Sequence, residues 1–168
     1  LIYGENTWNE AKAWVSDGNS FALMGDGTNA FIYKFYVNNL EAKNCYRISS
    51  SVATDVLSAD FYAFSSTRSV LFYVKNNTLY AYNYDIGNER VDMIPLETTD
   101  EITMLKFDLT MEPMKDALYI ATYSAIEGGS LRKYYVGNNP DKVELKSDPK
   151  AVWKGLTKVK NMSWRALL

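Results

Sequence analysis

Tryptophan is the residue type in this sequence with the clearest capacity to bind a ligand. An indole ring presents a flat apolar face on which a sugar ring can stack, and its N–H group donates a hydrogen bond. The predicted ligand-binding residues are Trp8, Trp14 and Trp153. The alternative interpretation is that each ring packs a loop onto a sheet.

Carboxylates are the second group that could do chemistry. Glycoside hydrolysis needs two of them, roughly 5–10 Å apart across a cleft. Five aspartates lie mostly at predicted strand ends, namely Asp85, Asp92, Asp100, Asp108 and Asp116. Aspartate in such positions commonly makes turn hydrogen bonds, and the sequence brings no two of the five together. The prediction is therefore that the chain has no catalytic residues and is not an enzyme.

Histidine is absent from the 168 residues, which removes the commonest general base near neutral pH and the commonest metal ligand. Cys45 is the single cysteine, so no internal disulfide can form, and a buried, unreactive thiol is predicted. Residues 16–19 and 25–29 lack the alternating acidic ligands of a calcium loop. The second segment also departs from the sialidase-type Asp-box, because Met24 occupies the serine position. Both are predicted to be turns, and no metal or cofactor is expected.

Strands must position these side chains, because aromatic residues make up 14% of the chain and suit half-buried pleated surfaces. The clearest signal is a hairpin over residues 70–84, whose turn is Asn76-Asn77. Asparagine tolerates the positive φ of a tight turn. Three tyrosines at period two share one face of the second strand and are predicted to pack in the core: Tyr80, Tyr82 and Tyr84.

Similar hairpins are predicted over residues 21–37 and 118–136, the latter with Gly128-Gly129 in its loop. Together with flanking strands they give a repeat of about 50 residues, the size of one propeller blade. The predicted fold is all-β, with about three four-stranded antiparallel blade-like repeats that form part of a β-propeller. An open stack or sandwich is the alternative, because propellers generally have four to eight blades. The approximate units are residues 8–59, 60–101 and 102–158, with a further strand at 159–165.

Three local signals complete the element prediction. The last strand of the third repeat is expected at residues 142–145. A capping-box spacing from Thr7 to Glu10 indicates a helical turn near residues 8–14, in competition with the first strand. Asp148-Pro149 resembles a helix start, and the sequence predicts a short helix over residues 149–154.

Charge and hydropathy limit the partners. The net charge of −2 creates no general attraction for nucleic acid. No apolar run approaches the ~20 residues of a membrane span, so membrane attachment is expected only through an anchor outside this chain. The sequence begins Leu1-Ile2-Tyr3, as a processed or excised segment would, and we expect a piece of a longer protein. Open strand edges at the first and last units favour self-association.

Two segments resemble a known family. They are residues 71–84 and the ending from Ala151 to Trp164, in which Trp153-Lys154-Gly155-Leu156-Thr157-Lys158-Val159 follows an aromatic-x-Gly-hydrophobic-x-x-hydrophobic pattern. They resemble the C-terminal region of the PKD-like family of bacterial surface lipoproteins, over residues ~60–165. The family's N-terminal immunoglobulin-like part has no counterpart here. The resemblance implies an extracellular or cell-surface location, often in a glycan-uptake setting, and it supplies no functional residues.

The functional expectation combines this resemblance with the aromatic content. It is a non-catalytic binding or display module of a secreted or surface-anchored bacterial protein, with glycan or another surface protein as partner. The alternative is a structural or protein-interaction segment that completes a propeller. A fragment of a propeller glycoside hydrolase is a third interpretation, which the missing histidine and the incomplete Asp-box disfavour.

Overall fold

The structure, a computed structural model, describes residues 10–16, 19–25, 29–36, 42–65, 68–107 and 117–162. In these segments, twelve strands form three four-stranded antiparallel sheets, and one short helix follows the fourth strand. This arrangement confirms the predicted all-β class and its antiparallel sheets. The elements are β1 Glu10–Ser16, β2 Asn19–Gly25, β3 Ala30–Tyr36, β4 Ala42–Ile48, α1 Ser50–Leu57, β5 Phe61–Phe64, β6 Val70–Lys75, β7 Thr78–Asn83, β8 Arg90–Ile94, β9 Glu101–Phe107, β10 Ala117–Ser124, β11 Gly128–Val136 and β12 Leu145–Leu156.

The chain divides into two compact units, residues 1–59 and 60–168. The first contains the sheet β1-β2-β3-β4 and helix α1, and the second contains the sheets β5-β6-β7-β8 and β9-β10-β11-β12. Every sheet is a meander, because each described strand pairs with its neighbour in sequence.

The first unit has an aromatic row on one face of its sheet. Phe31, Tyr33 and Phe35 alternate along β3, and their successive ring centroids are 6.4 and 5.8 Å apart. Tyr33 and Phe35 are buried there together with Ala22 and Met24 of β2. Period-two alternation thus creates a covered apolar face.

Helix α1 follows the first sheet and has no counterpart in the sequence prediction. Ala53, Val56 and Leu57 are buried, and their i, i+3, i+4 spacing gives the helix one apolar face. The backbone N–H of Ser58 still bonds to Thr54 O at 3.2 Å, after which the chain leaves the helix. The apolar spacing is the signal that could have identified this helix.

The hairpin β6–β7 has the predicted turn. Asn76 and Asn77 have φ values of 51° and 57°, as a tight hairpin turn with two positive φ angles requires. The side chain of Asn77 also reaches the start of β9. Its Oδ1 accepts a hydrogen bond from Ile102 N at 2.7 Å, and its Nδ2 donates to Asp100 O at 3.1 Å. The turn therefore fixes the first strand of the following sheet.

The two sheets of the second unit pack face to face. Their shared core contains Phe72 of β6 and Phe107 of β9, whose ring centroids are 6.3 Å apart, and the alternate residues Leu118 and Ile120 of β10. The first strands β5 and β9 lie against each other. Farther out, a groove separates β8 from the start of β12. The sheets therefore form a wedge that is closed at the first strands and open at the last.

The helix predicted over residues 149–154 is wrong, and so is the strand predicted at 142–145. Strand β12 spans Leu145–Leu156 and is the outermost strand of its sheet. Its pairing with β11 is interrupted between Ser147 and Val152. In that bulge the side chain of Asp148 accepts a hydrogen bond from Lys150 N at 3.0 Å. An edge strand tolerates Pro149 because only one side of the strand donates to the sheet.

Other local predictions also need correction. Of the helical turn near residues 8–14, the described part begins at Glu10 and is strand β1. Gly128 and Gly129 belong to strand β11, and the turn before it comprises residues 125–127. Residues 159–162 have no regular secondary structure, and the remainder of the strand predicted at 159–165 lies outside the described residues.

Candidate binding surface

The three tryptophans that were predicted to bind a ligand differ in how much of each the structure describes. Trp8 lies outside the described residues. Trp14 lies in β1 opposite Ala22 of β2, and its side chain is outside the described part of the structure. Trp153 lies in β12 opposite Leu131 of β11, and 46% of its surface is exposed. Its ring therefore stands on a sheet rather than on a loop.

Trp153 belongs to one face of the sheet β9–β12, called here the Trp153 face. The pairing register places Trp153, Leu131, Ala121 and Met104 in one row across the four strands. Ala121 and Met104 are buried beneath Val159 and Met162, so the inner half of the face is covered. The outer half is open at Trp153 and also at Leu156, which is 37% exposed.

Lysines lie over tyrosine rings on the same face. The Nζ atom of Lys133 is 5.8 Å from the ring centroid of Tyr119 and 5.1 Å from that of Tyr135. The hydroxyl of Tyr135 donates to Asp148 Oδ2 at 3.2 Å. Such contacts hold the lysine stem along the rings and keep its charge near the surface. The open apolar area around Trp153 thus has a polar border.

The sequence analysis did not identify Lys133 and Tyr135 as candidates for this surface. The signal was present, because residues 131–136 alternate along a strand. This alternation puts Leu131, Lys133 and Tyr135 on the Trp153 face, and it puts Arg132 and Tyr134 on the opposite face.

The segment after β12 crosses the Trp153 face toward β9. Lys158 Nζ lies 3.1 Å from Glu101 Oε2 of β9 and 5.3 Å from the ring centroid of Tyr123. Lys106 of β9 donates hydrogen bonds to Asn161 Oδ1 at 3.2 Å and to the carbonyl oxygen of Met162. The segment therefore runs from the last strand of the sheet back to its first.

A polar network occupies the opposite face of this sheet. Arg132 Nε lies 3.2 Å from Glu97 Oε1, which also accepts a 2.7 Å hydrogen bond from the hydroxyl of Tyr134. Arg132 Nη1 donates to Ser130 Oγ at 3.0 Å. Burial and then the Glu97 hydrogen bond raise the pKa of Tyr134 well above its usual value. The network joins the loop between β8 and β9 to strand β11, so its role is structural.

The candidate aspartates do not assemble a catalytic pair in the described residues. Asp92 accepts hydrogen bonds from Arg90 Nε at 3.2 Å and from Val143 N at 2.9 Å. Asp100 and Glu127 border a cavity of about 280 Å³ that also contains Arg132 and Lys154. The backbone N–H of Asp85 donates to Asn83 Oδ1 at 2.9 Å, just after the end of β7. The two others, Asp108 and Asp116, lie outside the described residues.

The tyrosine stripe, which runs along β7 and ends one residue after it, packs largely as predicted. Tyr82 and Tyr84 are buried, and the hydroxyl of Tyr82 donates to Glu89 Oε1 at 2.6 Å. Tyr80 is half-buried and stacks on Tyr73, with a centroid distance of 5.2 Å. These rings do not form an open stacking platform.

The prediction of a buried Cys45 is wrong. Cys45 lies on β4, an outer strand of the first sheet, and is exposed. Desolvation of the thiol nevertheless raises the pKa of Cys45, while a hydrogen bond with Tyr33 acts in the opposite direction. The thiol is therefore a poor nucleophile at neutral pH, because the thiolate is the reactive form.

The described part contains no group of three metal-ligating side chains, and none of its helices combines the length and apolarity that a membrane crossing requires. No protein-family model matches the chain, and no curated protein matches it with significance.

Proposed function

We propose that this chain is a non-catalytic binding module built from propeller-like blades, with the open part of the Trp153 face as its ligand-binding surface. The ligand class is a glycan. The observation that carries the proposal is the position of Trp153, a residue that is 46% exposed on a paired strand. A sheet holds an aromatic ring more rigidly than a loop does, so stacking costs little conformational entropy.

The surroundings of Trp153 support a sugar in particular. Saccharides present apolar ring faces together with hydroxyl groups, so they need a flat apolar contact beside polar groups. Leu131 and Leu156 extend the apolar area, while Lys133 and Asp148 supply a cation and a carboxylate nearby on the same sheet.

The blade-like assembly is supported by the wedge of the second unit. Two meander sheets pack face to face, with β5 next to β9 and a groove beyond β8. Radial packing of blades around an axis brings the first strands together in this way. The extracellular or cell-surface location rests on the resemblance to surface lipoproteins.

The experiment is a glycan-array screen of the intact protein, followed by a tryptophan-fluorescence titration of each hit. We expect a saturable hit that quenches tryptophan emission. Trp153→Ala should weaken binding at least tenfold, because truncation of a central aromatic contact typically costs about 2 kcal/mol.

The matched control is Ile126→Ala. Ile126 is 96% exposed on the turn before β11, so its loss also removes exposed apolar surface but leaves the Trp153 face intact. A folded wild-type protein without any hit, or equal affinities for the two variants, would contradict the glycan proposal.

A second candidate function is that of a structural segment that completes a propeller through protein–protein contact. The crossing of residues 157–162 favours it, because Val159 and Met162 already cover part of the Trp153 face with apolar protein contacts. Sedimentation velocity over a concentration series would test it. Reversible association that Trp153→Ala abolishes would favour this candidate, whereas a monomer at all concentrations would count against it.

A further inference from the structure

The groove between β8 and the start of β12 is a second concave site, distinct from the Trp153 face. Its volume is about 560 Å³, within the range of ligand-binding clefts. Ile94 of β8 and the buried Val143 form its apolar floor, and both belong to the core between the two sheets. Met93, which is 63% exposed, and Leu145 extend this apolar lining. The site therefore offers apolar surface that solvent can reach.

Hydrogen bonds hold the far wall of the groove in place. The segment from Gly137 to Glu144 forms this wall, and the backbone N–H of Gly137 donates a 2.9 Å hydrogen bond to Glu144 O. Arg68 Nη1 donates to Gly137 O at 2.7 Å, and Asp92 Oδ2 accepts from Val143 N at 2.9 Å. The wall is thus tied both to β8 and to the start of β6, so the groove exists before a ligand arrives.

The near wall is the edge of a sheet. Strand β8 is the outermost strand of β5-β6-β7-β8, and among the described strands it pairs only with β7. The backbone N–H and C=O groups on the other edge of such a strand can bond to an added extended strand. Because Met93 and Ile94 of this strand line the groove, an added strand would lie in it.

The charges of the groove leave one unpaired cation. Lys142 and Glu144 neutralise each other at 3.1 Å, and Asp92 is paired with Arg90 at 3.2 Å. Lys146, which also lines the groove, makes no ion pair with any residue that the structure describes. A ligand that carries a carboxylate next to apolar groups therefore complements the groove.

We propose that this groove binds an extended peptide segment that adds to the edge of β8. The peptide places an apolar side chain on Ile94 and Val143 and an acidic side chain beside Lys146. Backbone hydrogen bonds to β8 supply affinity that does not depend on the sequence of the peptide. The apolar floor and Lys146 supply the preference for a peptide with an apolar and an acidic side chain. This proposal stands independently of glycan binding at the Trp153 face.

The probe is a synthetic pentapeptide, acetyl-Thr-Val-Asp-Val-Thr-amide, added to the full ¹⁵N-labelled chain. Amide chemical shifts should change saturably at Met93, Ile94 and Lys146, with a Kd near or below about 1 mM. A peptide with Lys in place of Asp should bind about fivefold more weakly, because it meets Lys146 with a like charge. Methylation of all five backbone nitrogens of the peptide should abolish binding, because it removes the backbone donors on both edges of the extended chain.

The protein variants are Lys146→Glu and the matched control Lys150→Glu. Both lysines are exposed on β12, but Lys150 does not line the groove. Lys146→Glu should weaken the acidic peptide about fivefold, and Lys150→Glu should leave its Kd within twofold. The proposal is overturned by the absence of localised shift changes up to about 5 mM peptide, by equal binding of the methylated peptide, or by equal effects of the two variants.

Discussion

Position 129 requires glycine because strand β11 and the segment that follows β12 come close together there. A Cβ atom at this position would collide with the carbonyl oxygen of Thr157, because the chain passes over β11 as it leaves β12. Gly155, with φ of 69°, allows the bend that starts this passage. Gly128 and Gly129 were predicted in a loop, because the sequence of a glycine pair does not distinguish a turn from a strand that lies beneath a crossing chain.

Gly129→Ala should therefore destabilise the second unit. The methyl group would displace the backbone at Leu156–Thr157, and an overpacked substitution of this kind typically costs about 1–3 kcal/mol. The measurement is the urea midpoint of unfolding followed by circular dichroism.

Gly137→Ala is the control for this prediction. Its new Cβ atom would meet only Glu144, with the nearest atom at 3.5 Å, which is ordinary contact. We expect its free energy of unfolding to stay within about 0.5 kcal/mol of wild type. Equal effects of the two substitutions would show that the crossing segment is not held against β11.

The candidate residues illustrate what a sequence can and cannot predict at this scale. Period-two alternation identifies which side chains share a face, and it correctly predicted the burial of Tyr82. It does not say which face becomes covered. Cys45 is opposite the buried Tyr33 yet is itself exposed, because its strand lies at the edge of the sheet. The exposure of Cys45 and the burial of Tyr33 can be distinguished only from the three-dimensional structure.

The strands were predictable where local pattern and pairing agree. The hairpin β6–β7 has both an alternating pattern and a turn pair, and it formed as expected. Strand β12 is the opposite case, because Asp148-Pro149 is a helix-start signal that the structure uses as a bulge in an edge strand. Helix α1 was missed because its apolar face spans little more than one turn, from Ala53 to Leu57.

The turn of this hairpin supports a prediction about how elements are joined. Asn77→Ala removes hydrogen bonds to Ile102 N and Asp100 O and leaves an N–H at the start of β9 without its partner. The loss should cost about 1–3 kcal/mol, measured as a lowered midpoint of thermal or urea unfolding.

Asn76→Ala is a closely matched control. Asn76 has a similar positive φ, so both substitutions carry the same backbone penalty for alanine. The difference between the two variants therefore reports the contacts with the next sheet. If Asn76→Ala were as destabilising as Asn77→Ala, the turn would act through its backbone alone.

For the whole molecule, two buried tyrosines link stability to alkaline pH. Tyr33 lies in the first unit and Tyr134 in the second. Burial is the main cause that raises the pKa of each above its usual value, and hydrogen bonds to Cys45 and Glu97 respectively act in the same direction.

The free energy of unfolding should therefore fall as the pH rises above about 10. Above this pH the unfolded chain loses tyrosine protons that the folded chain retains, so the unfolded state binds fewer protons. Each tyrosine contributes up to about 1.4 kcal/mol per pH unit to this decline. Urea unfolding between about pH 9 and pH 11, one unit on either side of the reference tyrosine pKa, measures this decline.

Tyr134→Phe and Tyr33→Phe should each make the free energy of unfolding less dependent on pH. The expected decrease in slope is the contribution of one tyrosine, up to about 1.4 kcal/mol per pH unit. The slopes are compared rather than the absolute stabilities, because loss of a hydroxyl also removes a hydrogen bond at neutral pH. Slopes that coincide with wild type in both variants would refute the assignment of the two buried hydroxyls.

The strand order has a consequence for the speed of folding. Because each described strand pairs with its neighbour along the chain, every sheet forms by closing short loops, and short loops lose little entropy on closure. Contacts that are local in sequence favour fast folding. A sheet can thus assemble as soon as its own four strands are available, and in the second unit the two sheets can dock once each has formed.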